Sequence, residues 1–534
     1  MLSADHAEQF TSEERARLEP YFTNTTRHVF ALTNLPETVK GALFARYSRS
    51  AKSLRRLFLD EFSDTLATSA SRSDVGVARA DKLYARVFNE YGDDSVAQLG
   101  GAHVACEYVS NILTKVLEWG RLMAYLEQST RYVPYTDRLH GRWRYHVPAE
   151  LEGALRDRYM RSMDDIFEMY AKWIPPMQDH FSHRYPKHPG DSDGIHRSAI
   201  RAKALDTLRG MLPAATQSNV GIYGTGQAFE ALLLRMRAHS LVEVRECGDA
   251  MLGELRQVIP AFLTRVDLPE RGGRWSSYFG ETRDALSALA DSLLAGMEPA
   301  SADEVTLTDF DPEGELKIVA AALYAVSPLP DRQLLDVARQ MSVDDRAQVL
   351  RTYVGQRGNR RHRPGRAFER TTYRFDVLTD YGAFRDLQRH RLLTLEWQRL
   401  STGHGYTEPE AIRASGAASD WDRAMDVSAE LHESMRAAGL AVAAEYAVLM
   451  AYRVRFYMEM NAREAMHLIE LRTAPQGHPA YRRVCQQMHT LIAEQAGHRA
   501  VAAAMTFADH SVVELERLGS ERAIERKRES VDST

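Results

Sequence analysis

The stretch Arg389-His390-Arg391-Leu392-Leu393-Thr394-Leu395-Glu396-Trp397-Gln398-Arg399 opens on three consecutive hydrogen-bond donors. Neighbouring side chains on an ideal helix point about 100° apart, so three of them reach one target only near a helix end, or on a ligand that wraps the element. Phosphate or flavin carbonyl oxygens suit such donors. An isolated Arg-His-Arg is more often a solvated turn of helix, so its surroundings decide. Upstream, Tyr373-Arg374-Phe375 alternates as a half-buried strand does, and Asp380-Tyr381-Gly382 signals a turn. Still earlier, Arg360-Arg361-His362-Arg363-Pro364-Gly365-Arg366 is a basic loop, either solvated or set to hold a nucleotide phosphate.

Downstream, Met460 to Arg472 reads as helix. At about 100° per residue, Ala462, Met466 and Ile469 share the core face; Asn461 and Arg472 lie on one flank, Arg463 and His467 on the other. Such a helix can wedge between two sites or two subunits.

The N-terminal part carries its own signals. Residues 28–62 read as helix, and Tyr91-Gly92-Asp93-Asp94-Ser95 as a turn with a capping serine. Residues 103–127 predict a long core helix through Val104, Tyr108, Ile112, Val116 and Trp119. It ends at Glu127-Gln128-Ser129-Thr130-Arg131-Tyr132, just before Val133-Pro134. Pro134 pushes Val133 out of helical conformation, so Ser129 and Arg131 sit where helix gives way to extended chain, an anion site. Residues 150–180 predict an amphipathic helix, and 181–196 a loop. Its histidines, His180, His183, His188 and His196, match no ligand spacing, so no metal is expected. Arg209-Gly210-Met211-Leu212-Pro213 ends a helix with a kink, and a glycine-rich run from Asn219 to Gly226 opens another, Phe229 to Glu246. Residues 266–312 read as a linker with one helix. This divides the chain into 1–265 and 313–534, the second restarting with a helix from Ile318 to Ala325.

At 534 residues and a net charge of −5, the chain argues against binding a nucleic acid polymer, though not against a small phosphorylated ligand. Cys106, Cys247 and Cys485 lie far apart without a C-x-x-C, which predicts a reducing compartment and no disulfide framework. The N-terminus lacks a signal-peptide core, and no apolar run approaches the roughly 20 residues of a membrane span. A soluble, cytoplasmic protein without a membrane partner is expected.

The two halves share an order of events. Each has a leading helix with a serine (Ala45-Arg46-Tyr47-Ser48; Tyr324-Ala325-Val326-Ser327). Each then has an apolar run with an arginine-bearing helix (Arg121; Arg391), and a late helix rich in arginine (Arg235, Arg237, Arg245; Arg463, Arg472, Arg482). The pattern predicts an α/β (α+β) protein of two related halves, helix-rich with small antiparallel sheets in each.

Arg389-His390-Arg391 resembles the start of the flavin-dependent thymidylate synthase motif, R-H-R-x-x-S-x-N-x-x-S-x-R-Y. Phe368-Glu369-Arg370-Thr371-Thr372-Tyr373-Arg374-Phe375 resembles its F-E-H-x-x-F-T-F, and Met460-Asn461-Ala462-Arg463 to Leu471-Arg472 its N-x-R-S…L-R helix. In the other half, Glu127 to Tyr132 is similar to E-x-S-x-R-Y, and Arg209 to Pro213 to R-x-x-L-P. The likeness touches most of both halves, leaving out the linker and residues 140–200. The departures are complementary. The C-terminal half has Thr394 at the motif's first serine and ends Arg399-Leu400-Ser401; the N-terminal half has Trp119-Gly120-Arg121 where R-H-R belongs.

The resemblance implies that Arg389, His390, Arg391, Asn461, Arg463, His467 and Ser327 hold FAD. It implies that Glu127, Ser129, Arg131, Tyr132, Arg209, Arg235 and Arg237 hold the nucleotide, with Arg472 as the catalytic arginine beside the pyrimidine. It implies reductive methylation of dUMP to dTMP, with methylenetetrahydrofolate and NADPH as co-substrates and no enzyme cysteine attacking the ring. Family sites lie between subunits, so a homodimer imitating a tetramer of halves is expected. The altered positions leave two alternatives: a flavoenzyme acting on another nucleotide or nucleoside, and a non-catalytic flavin- or nucleotide-binding protein.

Overall fold

The computed structural model describes residues 8–26, 30–47, 50, 52–63, 98–515 and 517–532. Ser48 and the Tyr91–Ser95 turn lie outside them. The described residues of 28–62 include two helices, Glu37–Tyr47 and Leu54–Glu61, rather than one.

In chain order, β1 (Gly101–Ser110), α1 (Asn111–Leu117) and β2 (Met123–Glu127) are followed by α2 (Gly153–Arg184) and α3 (Asp193–Leu208). Then come β3 (Gln217–Thr225), α4 (Gly226–Arg237) and α5 (Arg274–Leu293). The second series is β4 (Val305–Phe310), α6 (Gly314–Tyr324), β5 (Thr372–Asp380), α7 (Tyr381–Leu387), β6 (Leu393–Trp397) and α8 (Ala418–Ala437). It closes with β7 (Arg453–Asn461), α9 (Ala462–Arg472) and α10 (Pro479–Glu494).

The series repeats. One sheet has the order β1-β3-β2, the other β4-β5-β7-β6, so each half builds strand, seven-residue helix, strand, and later a central strand leading into a helix. The junctions share one device. Ser110, Thr225, Asp380 and Asn461 each end a strand, and each side chain accepts a backbone N–H of the helix that follows. Central strand β7 runs antiparallel to both neighbours, pairing Phe375 with Met458 and Leu395 with the same Met458. Its alternate residues Val454, Phe456, Met458 and Met460 are buried, and so are Tyr373, Phe375 and Val377 of β5.

Residues 103–127 are not one helix. Val104, Tyr108 and Ile112 recur every four residues, an even spacing that also keeps residues on one face of a strand. The backbone takes that option through Ser110, makes a short helix, and returns as strand after Gly120. The helix expected from Phe229 to Glu246 is two, with a break between Arg237 and Val242. Helix α2 runs past the expected boundary to Arg184 with Pro175 and Pro176 inside it. Within 266–312, the acidic run contains strand β4, whose Val305 and Leu307 are buried against β5. Four carboxylates in and beside it, Asp303, Glu304, Asp309 and Asp311, give it the look of solvated linker.

The chain packs as two compact units. The first holds the described residues of Met1–Glu107, Gly120–Glu127 and Asn219–Met297; the second holds Tyr108–Trp119, Gln128–Ser218 and Glu298–Thr534. The second unit contains both the Arg389-His390-Arg391 turn and the Arg209–Pro213 segment. No helix among the described residues is long and apolar enough to cross a membrane.

Candidate functional site

Helix α7 ends at Leu387 and β6 begins at Leu393, so Arg389-His390-Arg391 forms the turn between them. That is the helix-end placement in which successive donors can converge. His390 is buried. Its Nε2 accepts from Arg472 Nε at 3.0 Å, which leaves the proton on Nδ1, 3.2 Å from Glu464 Oε1. Burial, then the neighbouring Arg472, keep the imidazole well below its usual range, so it stays neutral. Burial raises the Glu464 carboxyl to about 7, against the pull of Arg363, Arg463 and Arg391. Burial and Arg363 lower His467 to about 4.

Helix α9 carries polar residues on both flanks of its buried Ala462, Met466 and Ile469. On one flank Arg463 Nε donates to Pro364 O at 2.9 Å, and Arg363 Nη2 lies 3.3 Å from His467 Nε2. On the other, Arg472 reaches His390 and lies 3.8 Å from Asp386 Oδ1. The basic loop thus packs on this helix, anchored by the buried pair Arg357–Glu470 at 2.6 Å. His390, Glu464 and His467 have ligand atoms within 4.8 Å of one another. Yet guanidinium N–H groups already sit on Nε2 of both histidines, and Arg363, Arg391, Arg463 and Arg472 surround the trio. The donor set suits an anion rather than a cation.

A second cluster adjoins the first through Arg472. Arg131 makes a bidentate pair with Asp206, Nε–Oδ1 2.8 Å and Nη2–Oδ2 2.6 Å, and also donates to Tyr481 Oη at 3.1 Å. Arg472 stacks over the same Tyr481 ring at 5.4 Å. Buried Arg209 reaches Asp386 Oδ2 through Nη1 at 3.3 Å. Burial pushes Asp386 up, but Arg209, Arg389, Arg472 and Arg131 together outweigh it and hold the carboxyl well below the usual range. Arginines from both halves therefore converge on one carboxylate.

Other expected residues are placed differently. Ser129 Oγ accepts from Arg131 N at 3.2 Å and so braces that loop. Tyr132 lies under the Arg517 guanidinium, 3.9 Å away, and is hydrogen-bonded to it. Asn461 Oδ1 caps α9 at 2.9 Å from Glu464 N. Ser327 Oγ accepts locally from Leu329 N at 3.2 Å. Glu127, Arg235 and Arg237 belong to the first unit, where Glu127 ends β2 and Arg237 pairs with Asp249. Asp206, Asp386, Tyr481 and Glu464 were not anticipated. The two aspartates had a signal: each stands three residues, one helical turn, before a motif arginine, Arg209 or Arg389.

The halves meet at a bridge between Pro213 and Leu449, with Ala214 N→Val448 O at 2.8 Å and Met450 N→Leu212 O at 2.9 Å. Four residues before each bridge residue stand Arg209 and Glu445. Buried Glu445 accepts from Leu400 N at 3.0 Å, and burial raises it to about 7. One half thus presents a guanidinium where the other presents a carboxyl.

This twofold arrangement agrees with the chain's relatives. The thymidylate synthase complementing protein family matches residues 40–261 and 306–496, and the chain belongs to that family, as two related halves. A UPF0159 protein from Chlamydia muridarum is 37% identical over 521 residues, 96% of this chain and 98% of the relative. A flavin-dependent thymidylate synthase from Clostridium tetani is 23% identical over 191 residues, 35% of this chain and 70% of its own length. A UMP/dUMP methylase from Streptomyces cacaoi, bound with 5-Br dUMP, covers 39% of this chain and 97% of its own at 22% identity, with a TM-score of 0.30.

Proposed function

We propose that the protein is a flavin-dependent methyltransferase of the thymidylate synthase kind, converting dUMP to dTMP with methylenetetrahydrofolate and NADPH. The observation that carries this is the convergence of Arg209 from one half and Arg472 from the other on Asp386, with Arg131 joined to Arg472 through Tyr481.

FAD fits the adjoining cluster on the chemistry of its donors. Arg363, Arg391, Arg463 and Arg472 surround Glu464, which is half protonated near neutrality, with Glu369 beside Arg463 and Asp386 beside Arg472 as the other carboxylates. That leaves net positive charge for a pyrophosphate, with Arg389, His390, Asn461 and His467 at its border and Ser327 as an outlying donor. When bound, FAD would supply the redox and one-carbon relay that no side chain here can perform. The chain's own part is positional. Arg131 and Arg209, with Ser129 and Tyr132, would anchor the nucleotide phosphate and sugar. Arg472, fixed by His390, would steady charge developing on the pyrimidine. His390 is kept neutral so that its Nε2 can accept the Arg472 N–H, which orients that guanidinium. We infer that the working form is a homodimer, a pseudo-tetramer of halves.

The test is an absorbance spectrum of the purified protein with and without dUMP and NADPH, followed by rescue of a thymidine auxotroph. A flavin spectrum bleached by NADPH, together with rescue, is the expected result. A second reading, a flavoenzyme for another nucleotide or nucleoside, is favoured by Asp206 and Asp386, which neutralise Arg131 and Arg209. Flavin reduction without dUMP methylation or rescue would select it. Colourless protein that binds no added FAD would overturn both.

A further inference from the structure

Beyond residue 496, where the family match stops, a C-terminal helix, α11 (Leu518–Asp532), packs along α3 within the second unit. Two contacts latch it there. Arg522 makes a bidentate pair with Asp191, Nε–Oδ1 2.6 Å and Nη2–Oδ2 2.8 Å, and Ser192 Oγ donates to Glu525 Oε1 at 2.5 Å. Asp191 and Ser192 stand just before α3, whose last turn carries Asp206, the partner of Arg131. Upstream of α11 the chain is tied to α10: Gln486 Nε2 donates to Asp509 O at 2.9 Å, and Arg482 Nη2 to Ser511 O at 3.0 Å. Arg482 directly follows Tyr481, which accepts from Arg131. The C-terminal arm is therefore fastened to α3 and α10, the same two helices that hold Arg131.

Between these ties Arg517 reaches the Ser129–Tyr132 loop. Its guanidinium lies over the Tyr132 ring, 3.9 Å from the centroid, and Nη2 donates to Tyr132 Oη. Tyr132 remains 57% exposed, so the stack covers part of the ring and leaves the rest to a ligand. The charge on Arg517 is uncompensated. Arg131 is matched by Asp206 and Arg209 by Asp386, whereas Arg517 pairs with no carboxylate among the described residues. A phosphate monoester brings about 1.5–2 negative charges near neutrality. Stacking uses the plane of a guanidinium and leaves most of its five N–H donors for phosphate oxygens.

We propose that Arg517 is a nucleotide-binding residue delivered by the C-terminal arm, donating to the phosphate of a pyrimidine nucleotide held at the Ser129–Tyr132 loop. The kind of ligand rests on the proposed function. The contact itself comes from a part of the chain outside the family match, and it gives the loop the cation that Arg131 and Arg209, each facing an aspartate, do not supply.

Titration calorimetry on the full chain with dUMP, and with deoxyuridine as the phosphate-free control, tests this. Arg517→Gln should weaken dUMP binding about tenfold or more, the loss of one charge-assisted hydrogen bond to phosphate. It should leave deoxyuridine within about threefold. Arg517→Lys, which keeps the charge and gives up the planar fork, should recover part of the dUMP affinity. Arg517 is half-buried on an arm outside the core, so both variants should melt with the parent. Binding of dUMP by Arg517→Gln as tight as the parent's overturns the inference alone. An equal loss for dUMP and deoxyuridine overturns it too, because Arg517 then shapes the loop and does not meet the phosphate. A parent chain that binds no dUMP overturns the proposed function and this inference with it.

Discussion

Glu464 shows how one side chain sets the charge of a site. Its carboxyl ordinarily titrates near 4.5 and is raised to about 7 by burial. Between those values the folded chain holds a proton that the unfolded chain has lost. The group therefore favours folding most below about 4.5, and that contribution is lost as pH climbs through 7. The same deprotonation puts a negative charge beside the arginines. Flavin affinity should fall by roughly three- to tenfold between pH 6 and 8.5, on the order of 1 kcal/mol of screened repulsion. Glu464→Gln should flatten the profile; a parent protein with pH-independent affinity would remove Glu464 from this role. At this scale the sequence was informative where residue type alone carries chemistry. Arg389, Arg131, Arg209 and Arg472 stand out by residue type as candidates for holding an anion. Asp206 and Asp386 do not, because an aspartate one turn from an arginine usually means a solvated pair, and only packing buries it.

The elements place these groups through strand ends that double as helix caps. Asn461 illustrates the cost of changing one. Asn461→Ala removes the acceptor for Glu464 N and should lower stability by about 1 kcal/mol in urea titrations. Asn461→Asp keeps an acceptor and should retain most of that stability, while adding negative charge next to the arginine cluster proposed for FAD and weakening flavin binding. Equal destabilisation by both would show that the cap is not what Asn461 contributes. The β5–α7 junction was legible as alternation followed by a turn signal; the β7–α9 junction was not, because Met460 to Arg472 reads as one helix with Asn461 on its flank, whereas Asn461 ends β7 and caps α9. Strand β1 was not, because its spacing of four fits either period and the deciding force is pairing with β3, a partner more than one hundred residues away. Strand β4 was hidden for a similar reason: its two buried residues, Val305 and Leu307, gain their face only once β4 pairs with β5 and α10 packs against it.

At the scale of the molecule, duplication leaves two corresponding half-sites that are no longer equal. Glu445 stands where Arg209 stands, and Trp119-Gly120-Arg121 where Arg389-His390-Arg391 stands. A carboxyl repels the phosphate that a guanidinium would hold, so flavin and nucleotide should each bind once per chain. Equilibrium dialysis giving two sites of similar affinity would contradict that asymmetry. Assembly is the other consequence at this scale. Helix α5 contains no buried residue, and Trp275, Tyr278, Phe279, Leu286, Leu289 and Leu293 are all exposed. Contiguous apolar surface of this kind on a helix is unusual unless something covers it. The inferred homodimer supplies a cover, since an isologous contact sets the same helix of each subunit against its twin. Burying one leucine on each side is worth roughly 1.5–3 kcal/mol, and a twofold contact counts every substitution twice. Leu286→Asp with Leu289→Asp should therefore shift the dimer to monomer in light scattering at micromolar concentration. The melting temperature of the monomer should hold, because neither leucine contributes to a core. A parent protein that is already monomeric, or a double variant that stays dimeric, would separate α5 from assembly.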